Sequence, residues 1–393
     1  MTGITHPEKG VIIQACSGRT VIALAIALTA VIFLTYCGFS MALPENFPLD
    51  LSYIIAIASQ SGAIGFQLIS IRYLFCRVER VSLEGIPEKF CYPGGDWLPH
   101  AVRRVLHDST IFTRFIALFL LLFIVIESVS FLGEISAVMY LLERTPLGIP
   151  YYIFNYGVTF TNYFLLGTIL WVLVGTVLAI GEIKRVRSTI SSSIEVYCPD
   201  QIGGLSPVKE YLFRPLYVFL VSVTLLMLSY FNLLPFFTAF FEPDIVAFAS
   251  LDFSAFSGSI SNVFIDFFGV ILCFSLFSLL ALVGVIVTIV GLNRLSSLYL
   301  NDLEERIATI TAKYNDSLAV LLSMSPDEIR SSEKEVNNLN LALTTFSTER
   351  EKLLQWHSRC SRADAWTVLR LLVVAYVPPV VTVVFQVSQL LAS

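Results

Sequence analysis

Glu127 has the strongest claim to chemistry in this sequence. It stands in an apolar run, 111–133, about six residues or ~9 Å from the far end of that run. A carboxyl group inside such a segment is costly unless it faces a cavity or a partner, which makes Glu127 a functional candidate. Asp266 and Asn155 lie within about one helical turn of the corresponding ends of two other apolar runs, and Gln60 and Asn162 lie somewhat deeper. Five such groups gathered toward one side would suit a pocket that takes a small-molecule ligand from outside, and they are the candidate ligand residues. The alternative is that Glu127 bonds neighbouring helices or snorkels outward, and that Asp266 caps its helix.

A second group lies near the C-terminal end. Pro378 and Pro379 would break or kink the last apolar run near its middle, acting as a hinge. Gln386 and Gln389 follow it one helical turn apart, on one face. Repeated around an axis they would form a polar ring lining a pore; otherwise the prolines are a packing kink and the glutamines bond neighbouring helices.

No enzyme constellation stands out. HExxH and GxSxG are absent, and His6, His100, His107 and His357 form no ligand cluster with cysteine spacing. The segment from Pro199 to Leu205 reads as a turn, lacking the Lys-Ser/Thr of a phosphate loop. No span carries the repeated arginines of a voltage sensor. The expectation is therefore no enzyme, no metal, no cofactor and no nucleic-acid partner.

The elements that must position these residues follow from composition. With 393 residues, 56% of them hydrophobic and 14% charged, and a mean hydropathy of +0.77, the chain reads as an all-α multi-pass membrane protein with the bilayer as its solvent. Apolar runs at 21–43, 51–76, 111–133, 151–181, 213–241, 262–292 and 366–391 are each long enough to cross it. Every Lys and Arg except Arg144 flanks the same ends of these seven runs. The positive-inside rule then puts the N-terminus inside and the C-terminus outside. The alternative for the first run is a cleaved signal peptide, since Ser40-Met41-Ala42 resembles a cleavage site. Of the seven cysteines, Cys16, Cys76, Cys91, Cys198 and Cys360 fall on the reducing side, so no disulfide framework is expected.

Two loop features complete the pattern. Leu98, Val102, Val105 and Leu106 share one face of a short helix whose other face carries Arg103, Arg104 and His107. It would lie in the headgroup layer or pack on the cytoplasmic helices. In the second span Ser52, Ser59, Ala63, Gln67 and Ser70 form a small, polar stripe suited to packing a neighbouring helix.

The longest polar stretch is 293–365. Leu303, Ile307, Ile310, Tyr314, Leu318 and Leu321 continue the sixth span as one helical stripe. Ser325-Pro326-Asp327-Glu328 is a helix start, and a second stripe from Ile329 through Val336, Leu339, Leu343 and Phe346 runs to Leu353. The chain thus divides into a six-span region 1–292, a cytoplasmic helical hairpin 293–365 and a seventh span 366–393. Val336, Leu339, Leu343 and Phe346 would serve as an anchor between copies.

Seven spans with the N-terminus inside, intracellular extensions and a long cytoplasmic helix leading to a final span resemble the insect odorant and gustatory receptor type of ion channel. That family carries Thr-Tyr, five residues, then Gln and Phe or Leu close to the C-terminus. Thr382, Gln389 and Leu390 stand at the matching places, with Val383 where the family has Tyr and Gln386 at the level of an apolar gate. The resemblance implies a homotetramer, with Thr382, Gln386 and Gln389 in the pore. It also implies a ligand-gated, cation-conducting channel in the cell membrane. The rival expectation is a membrane signalling or scaffold protein that conducts nothing and whose hairpin docks a partner. A membrane enzyme using Glu127 as acid or base comes third.

Overall fold

The computed structural model describes residues 18–43, 51–84, 105–106, 108–125, 146–183, 206–239, 260–358, 370 and 373. Every regular element among them is a helix. They are α1 (Gly18–Ala42), α2 (Leu51–Glu84), α3 (Ser109–Val125), α4 (Gly148–Ile183), α5 (Ser206–Ala239), α6 (Ile260–Ser323), α7 (Pro326–Ser331) and α8 (333–358). Five of these, α1, α2, α4, α5 and α6, are long and apolar enough to cross a membrane, and α3 is a shorter apolar helix. The seventh apolar run lies outside the described residues except for Arg370 and Val373.

Local chemistry sets the ends. Asp108 caps α3, its Oδ1 accepting from the Thr110 and Ile111 amides at 3.0 and 3.1 Å. The Leu43 amide closes α1 on the Phe39 carbonyl at 2.9 Å, and Pro44 follows in the sequence. The apolar run at 213 predicts a later start for α5 than the one observed. Ser206-Pro207 opens the helix with a proline where a missing amide costs nothing, so the helix begins well before its apolar part.

α4 is the centre of the bundle. It is apolar around its circumference, and Leu166, Ile169 and Leu173 are fully buried, as a helix surrounded by others must be. Its first half joins a cluster with Tyr36 of α1 and Tyr53 and Ile57 of α2. Its second half joins a larger core with α2, α3, α5 and α6. The α1 helix is therefore keyed into the bundle through Ile32, Tyr36 and Leu43. The α2 and α5 helices are extensively packed on one another. Since the Arg214–Tyr73 bond joins the early part of α5 to the later part of α2, α5 must run back along α2 toward Leu51.

Close approach at α6 depends on two glycines. Gly284 and Gly291, seven residues apart, receive Phe219 and Leu212, seven apart on α5. A Cβ on Gly291 would stand 2.9 Å from both Leu212 Cδ2 and Val177 Cγ2, so α4, α5 and α6 meet there only because the side chain is missing.

Beyond Gly291, α6 continues without a break to Ser323, as its stripe predicts. The chain then turns, and the Ile329 amide donates to the Ser325 carbonyl at 3.0 Å. The second polar helix is not continuous from there: α7 ends at Ser331, and α8 starts anew with the Glu335 and Val336 amides on the Ser332 carbonyl at 2.9 and 3.1 Å. Ser332 and Glu335 are themselves spaced as a capping box, which competes with the stripe and interrupts it. The α8 helix returns beside α6, with His357 Nε2 3.5 Å from Glu304 Oε1 and Leu353 in one core with Tyr299 and Leu303.

Candidate functional site

Three of the five candidate ligand residues come together, between α1, α2 and α4. The Tyr36 hydroxyl donates to Asn155 Oδ1 at 2.7 Å, and Gln60 Nε2 donates to Thr159 Oγ1 at 3.2 Å. Asn162 Nδ2 donates to the backbone carbonyls of Gln60 and Val158, both at 3.3 Å. Gln60 and Asn162 are buried, whereas Asn155 is half-buried. Aromatic rings wall the cluster: Tyr36 and Phe39 each pack against Tyr151 and Phe154.

Every polar side chain in this cluster is neutral, so its chemistry is hydrogen bonding rather than proton transfer. Most of that capacity is spent tying helices together. Asn162 Oδ1 is the exception, buried and with no hydrogen-bond partner among the described residues. The α6 backbone carries Asp266, whose side chain is not described, and Glu127 lies outside the described residues. So do Pro378, Pro379, Thr382, Gln386 and Gln389.

Sequence reasoning missed the tyrosines. Tyr36, Tyr53 and Tyr151 form the wall of the cluster, and the signal was their place near span ends, where aromatic belts sit. The rise from Tyr53 to Tyr73 along α2 is about 30 Å, the thickness of a bilayer's hydrocarbon.

The opposite end of the bundle is basic. Arg294 Nη1 of α6 crosses to the Val177 carbonyl of α4 at 3.2 Å, passing against Gly181. Arg214 Nη1 of α5 donates to the Tyr73 hydroxyl of α2 at 2.7 Å. Lys209 Nζ lies 5.7 Å above the Phe213 ring. Thr29 of α1 meets α2 at Ser61 and Gly65, so Arg19, some ten residues before Thr29, reaches this same end.

Of the small-residue stripe on α2, Ala63 and Gln67 are fully buried, Ser70 nearly so and Ser59 half-buried, while the Ser52 side chain lies outside the described residues. Both amide atoms of Gln67 lack a hydrogen-bond partner among the described residues. The segment before α3 packs on α4: Leu106 is buried against Gly175, and Trp171 Nε1 donates to its carbonyl at 3.4 Å. At Val105 and Leu106, then, the amphipathic stretch seals against the bundle itself.

The anchor residues Val336, Leu339, Leu343 and Phe346 are all half-buried and share the side of α8 that carries the buried Leu353. Part of that stripe is covered within the chain and part stays open. Among the described residues, no group of three or more His, Cys, Asp or Glu converges on a point that would hold a metal ion.

No family model matches this chain, and no curated protein or solved structure matches it either.

Proposed function

We propose that the chain is one subunit of a homo-oligomeric, cation-conducting channel opened by a small molecule from outside. In this reading seven spans cross the cell membrane, the N-terminus is cytoplasmic, the stretch 293–365, which holds the polar part of α6 with α7 and α8, is a cytoplasmic hairpin, and the seventh span lines the pore. The carrying observation is α6, a helix of 64 residues that begins in the apolar bundle and runs about 44 Å past Arg294. A bilayer crossing uses only ~20 residues, so the rest can reach other subunits. The charge bias supports the orientation: Arg19, Lys209, Arg214 and Arg294 gather at one end of the bundle, and the Tyr36–Tyr53–Tyr151 end carries none of them.

The half-covered stripe on α8 equally suits a scaffold whose hairpin docks a cytoplasmic partner, and the test separates the two. Purified protein in liposomes is assayed for cation flux, and its symmetry is read by particle imaging. The channel reading expects a ring with the last span on its axis, flux suppressed by Gln389→Arg, and cation preference raised by Gln389→Glu. A monomer, or flux indifferent to both substitutions, leaves the scaffold reading ahead.

A further inference from the structure

We infer that the basic end of the α2–α5 seam is a binding site for one anionic phospholipid, its phosphate held by Arg214 and Lys209 and one acyl chain lying along Tyr217, Val221 and Ile69. The inference rests on the membrane reading of the chain and not on conduction.

The seam carries both halves that such a lipid needs. Arg214 is fixed by its bond to the Tyr73 hydroxyl, a strut from one helix to the other. Lys209 is one turn further from the bilayer centre, held over Phe213, whose ring stacks on Tyr217 at 6.2 Å. Arg72 adjoins Tyr73 in sequence. Against these three cations, Glu210 is the only acidic residue in the stretches 65–76 and 206–229. The site therefore has a net positive charge at the level where lipid phosphates sit.

Toward the bilayer centre the seam becomes an apolar strip. The two helices run antiparallel, so the next turns inward from the Arg214–Tyr73 strut are Tyr217 and Val221 on α5 and Ile69 on α2. Tyr73, Tyr217 and Val221 are 46%, 50% and 45% exposed and Ile69 is 37% exposed, although the two helices are closely packed beneath them. Two exposed tyrosines, Tyr73 with its hydroxyl on Arg214 and Tyr217 with its ring stacked on Phe213, match a headgroup–chain boundary. A soluble phosphate would use only the cations, and a zwitterionic lipid would bring its own cation against the basic site; an anionic phospholipid uses both the cations and the strip without that repulsion.

The experiment uses the full-length protein, purified in mild detergent and incubated with phosphatidylglycerol, phosphatidylcholine or water-soluble glycerophosphate. Retained molecules are then counted by native mass spectrometry. The expected result is retention of phosphatidylglycerol well above phosphatidylcholine, with no retention of glycerophosphate. Arg214→Gln and Lys209→Gln should each lower that retention about fivefold, the effect of one cation at a membrane surface. Lys313→Gln, which removes a cation from the distant polar part of α6, should not. Equal retention of the two lipids overturns the inference, and so does a Lys209→Gln loss no greater than that of Lys313→Gln. Lys209 is half-buried near the start of α5 and makes no part of the Arg214–Tyr73 strut, so its variant decides the matter even if Arg214→Gln fails to fold. A second protein copy covering the seam would appear as no retention and would equally overturn it.

Discussion

The bond from Tyr36 to Asn155 decides whether the cluster between α1, α2 and α4 is a tie or a site. Tyr36 is 1% exposed and its bond is 2.7 Å long, bridging helices 119 residues apart in sequence. Tyr36→Phe leaves Asn155 Oδ1 without its donor, and Asn155→Ala leaves a buried hydroxyl to find another acceptor; each should cost about 1 kcal/mol. Interhelical bonds within membranes couple by about 0.6 kcal/mol on average and up to about 1.7, and so short a bond belongs in the upper half. The prediction is a coupling of about 1 kcal/mol between the two substitutions, measured as a double-mutant cycle on reversible unfolding in mixed micelles and followed by circular dichroism. The same variants are assayed for ligand-evoked flux. Additive single effects, within about 0.3 kcal/mol, would refute the tie. Loss of response in Asn155→Ala at unchanged stability would go further and free Asn155 for a ligand.

What the sequence made legible follows physical range. The continuity of α6 was readable because it is local: an apolar run passes into a three-and-four stripe with no proline between Leu292 and Ser323. The break at Ser332 was equally local, but two capping signals lie within one short stretch, and choosing Ser325 alone joined α7 to α8. Gln60, Asn155 and Asn162 were visible because an amide among apolar residues is conspicuous. Their partners were not, since a tyrosine near a span end has an ordinary explanation and nothing local ties Tyr36 to α4. For the same reason Arg294 reads as a span-end cation, while its reach to the Val177 carbonyl depends on Gly181 lying on a different helix. The stretch ending at Leu106 is amphipathic whether it meets lipid or protein, and only the hole at Gly175 selects protein.

Three further perturbations test the packing from different sides. Gln67→Leu should raise the thermal midpoint, because it removes an amide whose two polar atoms are buried and unpartnered; a fall would mean that the amide is engaged by something bound in the seam. Replacing Leu339 and Leu343 together by Asp should dissociate the proposed oligomer on size-exclusion chromatography while leaving the spans inserted, since charge enters the half-buried stripe; an unchanged elution would remove that stripe from the proposed subunit contact. Gly291→Leu tests the three-helix junction. Even the first added carbon stands 2.9 Å from atoms of Leu212 and Val177, on two different helices. Ordinary carbon contacts need 3.5–4.0 Å, so both neighbours must retreat by over about half an ångström. Leu212 and Val177 are 0% and 6% exposed, which leaves them little room. Helix propensity favours alanine over glycine by about 1 kcal/mol and leucine by somewhat less, while overpacking costs about 1–3. Gly291→Ala should therefore be mildly destabilising, and Gly291→Leu severely so. Gly157 provides the control, for it is exposed on α4 with nothing within 4 Å of its added carbon. There the propensity term stands alone, and Gly157→Ala should be neutral or stabilising. If unfolding titrations find Gly291→Leu as stable as Gly157→Ala, then α4, α5 and α6 do not meet at Gly291, and the Arg294 latch to α4 just beyond it loses its footing.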